Sequence, residues 1–244
     1  MEYSLFTKCL FEFIGTAVLV LMGDGVVAGT TLKQTKGYNA GWGVITFAWG
    51  FAVMCGAFIA SPYSGAHLNP ALSIGMAIAG VFPWSEVPAY IVAQLLGGFV
   101  GAVLVYLFYK DHYDVTDDPD TKLGTFCTMP AIMNKPRNLF CELVGTFILV
   151  FVILCLALEG NVPQVGMGAI GVFPVTCLIM AIGMSLGSTT GYAINPARDL
   201  PPRLAHCLLP IKGKRDSGWG YSWVPVVGPI IGSCLAAVCY LLIF

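Results

Sequence analysis

The stretch SGAHLNPALSIG, residues 64–75, returns as TGYAINPARDLP at 190–201, so that Asn69 and Asn195 stand 126 positions apart, one in each half of a 244-residue chain. The flanks repeat too. FEFIGT from Phe11 returns as CELVGT from Cys141, and QLLGGFVG from Gln94 returns as PVVGPIIG from Pro225. A chain written twice on one plan has to fold as two copies of one substructure, and its apolar stretches decide how the copies meet.

With 57% hydrophobic and 10% charged residues, the chain is too apolar for a soluble domain of this size. Six uninterrupted apolar stretches are long enough to span a bilayer, at about 8–29, 41–60, 89–109, 139–158, 165–187 and 222–244. The acids inside them are Glu12, Asp24 and Glu142, with Lys8 where the first begins. That first stretch lacks the small-residue cleavage pattern of a secretion signal and is kept as a helix. Three spans per half is an odd number, so the second half enters from the opposite side and the repeat is inverted. The expected fold is an all-α membrane protein, one channel-like domain over 1–244. Its halves, about 1–110 and 137–244, are joined by a polar, Asp-rich loop, 111–136, read as a linker.

Two apolar segments, 67–79 and 194–208, are too short to span. Asn is a favoured helix N-cap and Pro is preorganised for the first helical position, so Asn69-Pro70-Ala71 and Asn195-Pro196-Ala197 read as helix starts. Half-helices of about 15–20 Å laid end to end match a hydrocarbon core of about 30 Å. The inverted repeat brings their N-termini together at mid-membrane. Each Asn carbonyl oxygen would cap its own half-helix, leaving the NH₂ to donate into the space between. Two positive helix ends there favour oxygen acceptors and oppose cations, hydronium included. Irregular backbone ahead of each half-helix is tolerable at membrane depth only where it lines a cavity. Gly65, Ala66, His67 and Leu68 in one half, and Thr190, Gly191 and Ala193 in the other, are therefore expected to line it. Glu12 and Glu142, one per half, are suited to accept N–H bonds from those segments, with a proton relay as the competing use of such carboxylates.

With its paired NPA motifs, repeat glutamates and flanks, the chain resembles the major intrinsic protein family over essentially all six spans, and within it the aquaglyceroporins or bacterial glycerol facilitators. The resemblance implies an aquaporin-like fold and a homotetramer with a pore through every subunit. It also implies an aromatic/arginine constriction in which Arg198 stands with Trp49, Gly183 and Tyr192. Glycine at 183, where a narrow water filter would place a histidine, leaves room, and two aromatic faces supply an apolar wall. A polyol could then pack its C–H edge on Trp49 and Tyr192 while Arg198 and pore carbonyls bond its hydroxyls. Asp199, Arg203 and Pro225 agree with the glycerol branch, though Asp199 and Arg203 also have the spacing of a helical ion pair. Two positions depart from the family pattern: Pro201, where many relatives have Gly, and Tyr192, where bacterial facilitators commonly have Phe.

The implied activity is passive diffusion of glycerol, water and other small polyols across a lipid bilayer, without protons or ions. A water-selective channel is the nearest alternative, and a coupled secondary transporter the alternative of another class. No nucleophile–base pair, phosphate loop or cofactor signature points to an enzyme, and the net charge of −1 points to no nucleic acid. Eight of nine cysteines lie in apolar surroundings without ligand spacing, and Cys127 falls in the loop. His67 could gate the pore or pack beneath it; His112 and His206 have no partner pattern. Eleven of the twelve Lys and Arg follow spans one, three and five, which by the positive-inside rule puts the termini outside. The family resemblance implies a cell-membrane, multi-pass protein with cytoplasmic termini, and that orientation is the one expected here.

Overall fold

The computed structural model describes residues 3–158, 161 and 171–244. They form ten helices and no strand. The first half contributes α1 (Leu5–Thr31), α2 (Trp42–Ser64), α3 (Pro70–Ile78) and α4 (Val87–Phe108). Two short helices follow, α5 (Lys110–Val115) and α6 (Pro119–Gly124). The second half contributes α7 (Lys135–Leu156), α8 (Phe173–Leu186), α9 (Pro196–Leu208) and α10 (Val224–Ile243). Among the described residues, α1, α2, α4, α7 and α10 are long and apolar enough to cross a membrane. α8 is shorter, and the part of the expected fifth span at 165–170 lies outside the described residues.

Capping sets several starts. Ser4 accepts from the Thr7 N–H ahead of α1, and Asn134 from the Arg137 N–H ahead of α7. Large apolar side chains such as Phe6, Leu96, Leu107, Phe108 and Leu242 point outward, whereas Glu12, Asp24, Gln94 and Glu142 are buried. This inversion of the soluble pattern suits a lipid solvent, in which an ionisable group is tolerated only inside the bundle.

The packing follows the repeat. α1 lies against α2 and α4, and α7 against α10. Each half-helix crosses to the other half: α3 packs on α10, and α9 on α4. Glycines set the close contacts. A Cβ at Gly97 would lie 2.3 Å from the Phe13 carbonyl of α1, and one at its repeat counterpart Gly228 would lie 2.8 Å from Glu142 Cβ of α7.

The polar connection at 111–136 is more than a linker. Tyr113, Leu123 and Phe126 are fully buried, the Tyr113 hydroxyl meets Thr125 Oγ1, and Lys122 Nζ donates to the Lys212 carbonyl. Cys127, read as a loop residue, is buried beside them. Three apolar side chains within a charged stretch are enough to fold it back onto the bundle.

The glycine contacts predict a contrast. Gly97→Ala should lower the melting temperature in detergent, with an overpacking cost of about 1–3 kcal/mol. Gly25→Ala, where a Cβ meets nothing within 4 Å, should leave it unchanged or raised, since alanine favours the helix by roughly 0.5–1 kcal/mol. Equal shifts would show that the α1–α4 contact does not depend on the glycine.

Candidate functional site

The segments ahead of the half-helices hold an unusual backbone. Ala66, Leu68, Tyr192 and Ile194 all have positive φ, with Gly65 and Gly191 beside them. Left-handed backbone costs an L-residue about 1–2 kcal/mol, so it persists only where its surroundings hold it. Here the two span glutamates do. Glu12 accepts from the His67 N–H at 2.9 Å and the Leu68 N–H at 2.7 Å, and is itself bonded by Ser64 Oγ and Gln94 Nε2. Glu142 accepts from the Ala193 N–H at 3.0 Å and the Ile194 N–H at 2.8 Å. Every one of these positions is buried, so each bond satisfies a donor that water cannot reach.

Asn69 and Asn195 then tie the halves together. Each side-chain oxygen caps its own helix, accepting at 2.9 Å from Ala71 N–H and Ala197 N–H. Each amide also donates across the centre at 2.8 Å, Asn69 Nδ2 to the Ile194 carbonyl and Asn195 Nδ2 to the Leu68 carbonyl. The expectation of a wholly uncommitted NH₂ is corrected. One hydrogen of each amide is spent on the opposite half and one is left, because the helix starts meet closely enough for their carbonyls to compete for donors.

Both asparagines border a single cavity of about 530 Å³. Gly65, Ala66, His67, Leu68, Ala193 and Ile194 line it, and its apolar wall includes Leu19, Val53, Leu149 and Ile179. Trp49, Tyr192 and Arg198 also border it, the guanidinium carbon 4.2 Å from the Trp49 ring centroid. Thr190, Gly191 and Gly183, expected on the pore surface, do not border this cavity. Gly183 sits behind Tyr192, where a Cβ would lie 2.9 Å from the phenol ring and hydroxyl, so the space it opens is taken by that ring. Pro70, Ala71, Pro196 and Ala197 are buried in the first turns of α3 and α9, and Pro225 in that of α10.

Asp199 and Arg203 form the anticipated i,i+4 pair, at 2.8 Å and fully buried. They do more than pair. The second Asp199 oxygen accepts from the Thr128 N–H and hydroxyl, both at 2.7 Å, while Arg203 donates to the Thr128 and Ser217 carbonyls. Thus the inter-half connection and the segment after α9 are fastened behind the cavity. Pro201 does not break α9. The Ala197 carbonyl it leaves without a helical donor faces α4, where a Cβ on Gly98 would come within 2.3 Å. His67, on the cavity wall, bonds Ser73 Oγ at 3.0 Å and packs on Phe82 and Tyr90.

Sequence reasoning missed Trp42, whose Nε1–H donates to the Gly183 carbonyl at 3.0 Å and whose ring meets Tyr192 edge-on. It missed Leu19 and Leu149 as well, although their spacing of 130 equals that of Glu12 and Glu142 and could have paired them across the pore. Asp24, seen as a span acid without a role, contacts Arg198.

Known proteins resemble this chain over nearly its whole length. The family described as "Major intrinsic protein" matches residues 1–240. A "Probable glycerol uptake facilitator protein" of Thermotoga maritima is 53% identical, covering 95% of this chain and 97% of that one. A "Glycerol uptake facilitator protein" of Bacillus subtilis is 51% identical, covering 94% and 82% respectively. Among solved structures, the aquaglyceroporin from Plasmodium falciparum superposes with a TM-score of 0.86 at 32% identity, covering 97% of this chain and 96% of its own.

The loop supports give a prediction. Glu142→Gln keeps one acceptor but turns an NH₂ toward a backbone N–H, leaving a buried donor unmet at about 1–3 kcal/mol. Solute flux through reconstituted protein and its melting temperature in detergent should both fall. Wild-type flux in this variant would show that the carboxylate does not hold the 193–194 backbone.

Proposed function

This chain belongs to the major intrinsic protein family, and on that premise we propose that it is a passive, bidirectional membrane channel for glycerol, and for water and other small uncharged polyols. It is a multi-pass membrane protein and a channel rather than an enzyme. One observation carries the reading: a single cavity joins both half-helix starts to a wall of Trp49, Tyr192 and Arg198. A linear polyol has a C–H edge and a hydroxyl edge. The aromatic faces suit the first, and the guanidinium with the remaining asparagine hydrogens suits the second, so the solute loses its water shell without losing all its hydrogen bonds. The glycerol facilitators at about half identity support the same substrate.

Ions are treated differently. Two helix N-termini of roughly +0.5 elementary charge each face the centre. Each asparagine there offers its N–H to the cavity, its oxygen being turned to its own helix cap. A water at that point is held as an acceptor from both sides, which interrupts a proton-conducting chain and repels hydronium.

Four copies side by side, each with its own pore, and termini in the cytoplasm complete the proposal, both supported by the family resemblance. Cys127 is buried and cannot report orientation. Ile132→Cys on the inter-half connection, where the native residue is 78% exposed, should react with an impermeant thiol reagent in intact cells, in a background with the exposed Cys177 and Cys207 changed to serine. Labelling only after lysis would reverse the orientation.

Stopped-flow light scattering on proteoliposomes tests the function. Reswelling in a glycerol gradient should be fast, unsaturated at high concentration and indifferent to ion gradients; saturation with ion dependence would mean a coupled transporter. Gly183→His has to displace the Tyr192 ring and Thr46. It should slow glycerol more than about tenfold, equivalent to ~1.4 kcal/mol of barrier, and slow water less. Fast water flux without glycerol entry in the wild type would make this a water-selective channel.

A further inference from the structure

Asp24 is an acid within α1 that the loop supports do not use. Its Oδ1 lies 3.3 Å from Arg198 Nη1, and it is the one side-chain hydrogen-bond partner of that guanidinium among the described residues. The carboxylate is 1% exposed, and its Oδ2 has no partner there. The other nearby acid, Asp199, is committed to Arg203 and Thr128. Next to Asp24, Gly23 seats the Trp49 ring, since a Cβ at Gly23 would lie 2.2 Å from it. One turn of α1 therefore backs both Trp49 and Arg198.

The repeat sharpens this. In the alignment that pairs Asn69 with Asn195, Arg198 corresponds to Leu72; in the one that pairs Glu12 with Glu142, Asp24 corresponds to Leu154. Leu72 and Leu154 belong to one buried apolar cluster. The repeat thus relates two pairs, each with one member in either half: Asp24 with Arg198, which is an ion pair, and Leu154 with Leu72, which is apolar. The halves diverge at both members together, as expected when a buried charge is introduced with its partner.

We propose that Asp24 is a specificity-determining residue: from behind Arg198 it cancels the charge of the filter, so that the guanidinium still donates to the hydroxyl oxygens of neutral solutes while small oxyanions gain no net attraction. Without it, Arg198 and two helix N-termini would line the pore with positive potential alone, a field that draws small carboxylates or nitrate inward. Asp24 does not border the cavity and so acts through Arg198 and its field. This inference rests on the glycerol-channel reading.

The test uses the full-length channel in proteoliposomes and compares three fluxes: water, glycerol, and potassium nitrate with valinomycin to carry the balancing cation. Nitrate stays ionised, so protein-free vesicles give a clean baseline. Asp24→Asn and Asp24→Ser remove the charge with different shapes. Both should raise the nitrate-to-glycerol ratio by at least about tenfold, between the fully water-screened and the partly buried effect of one charge at several ångströms, with water flux kept. Asp24→Glu should restore the wild-type ratio. An unchanged ratio, or a common fall in all three fluxes, would reduce Asp24 to a structural anchor and overturn the proposal. Absence of glycerol flux in the wild type would instead overturn the glycerol-channel reading on which this inference rests, whatever the variants do.

Discussion

The reciprocal bonds between Asn69 and the Ile194 carbonyl and between Asn195 and the Leu68 carbonyl hold the rest of the structure in register. Each asparagine meets three demands at once: it caps its helix, it grips the opposite half, and it keeps a hydrogen for the pore. Only a short side chain with one acceptor and two donors can do this. Aspartate lacks the donors, and serine has one. Because each grip ends on a carbonyl whose neighbouring N–H is held by Glu12 or Glu142, the two halves stabilise each other's strained backbone. A buried network of this kind is favourable only when complete.

The same demand explains where charge is tolerated. Glu12 and Glu142 sit deep in apolar helices, yet each carboxylate is met by two backbone N–H groups. The surrounding helices are apolar on nearly every face, so what separates lipid side from pore side is the placement of few polar residues. Glycines on α4 and α10 bring those helices against α1 and α7, and the half-helices cross over to the opposite half. The pore thus runs where the two halves meet, and neither half could form it alone.

Much of this was legible in the sequence because its signals are local. Apolar length marked the spans, Asn-Pro marked the half-helix starts, and the repeat offsets paired the glutamates. The failures were tertiary. Nothing near Asn69 announces that the Ile194 carbonyl will take one of its hydrogens. Gly183 read as an open pore wall because the sequence does not say that the Tyr192 ring turns back over it. The 111–136 connection read as a linker because its aspartates outweighed Tyr113, Leu123 and Phe126, three residues that bury once a bundle is there to receive them. Asp24 was visible as an anomaly, but its partner lies 174 residues away.

The departure from two-fold symmetry has a physical logic of its own. A passive channel is a set of resistances in series. A second filter, with Arg at Leu72 and Asp at Leu154, would repeat for each solute the resistance the first already imposes. Where the filter dominates the resistance, two identical filters double it for glycerol and for whatever is to be excluded, so their ratio does not change. Flux would fall with no gain in selectivity, and a second ion pair would have to be buried at a desolvation cost of several kcal/mol per ion. Diffusion runs equally well in both directions through one constriction, so one proposed filter, at the Arg198 end, is sufficient. At the other end the leucines can remain packing residues. The inverted repeat therefore conserves what must act from both halves, the caps, grips and loop supports, and diverges where a second copy would only slow the solute.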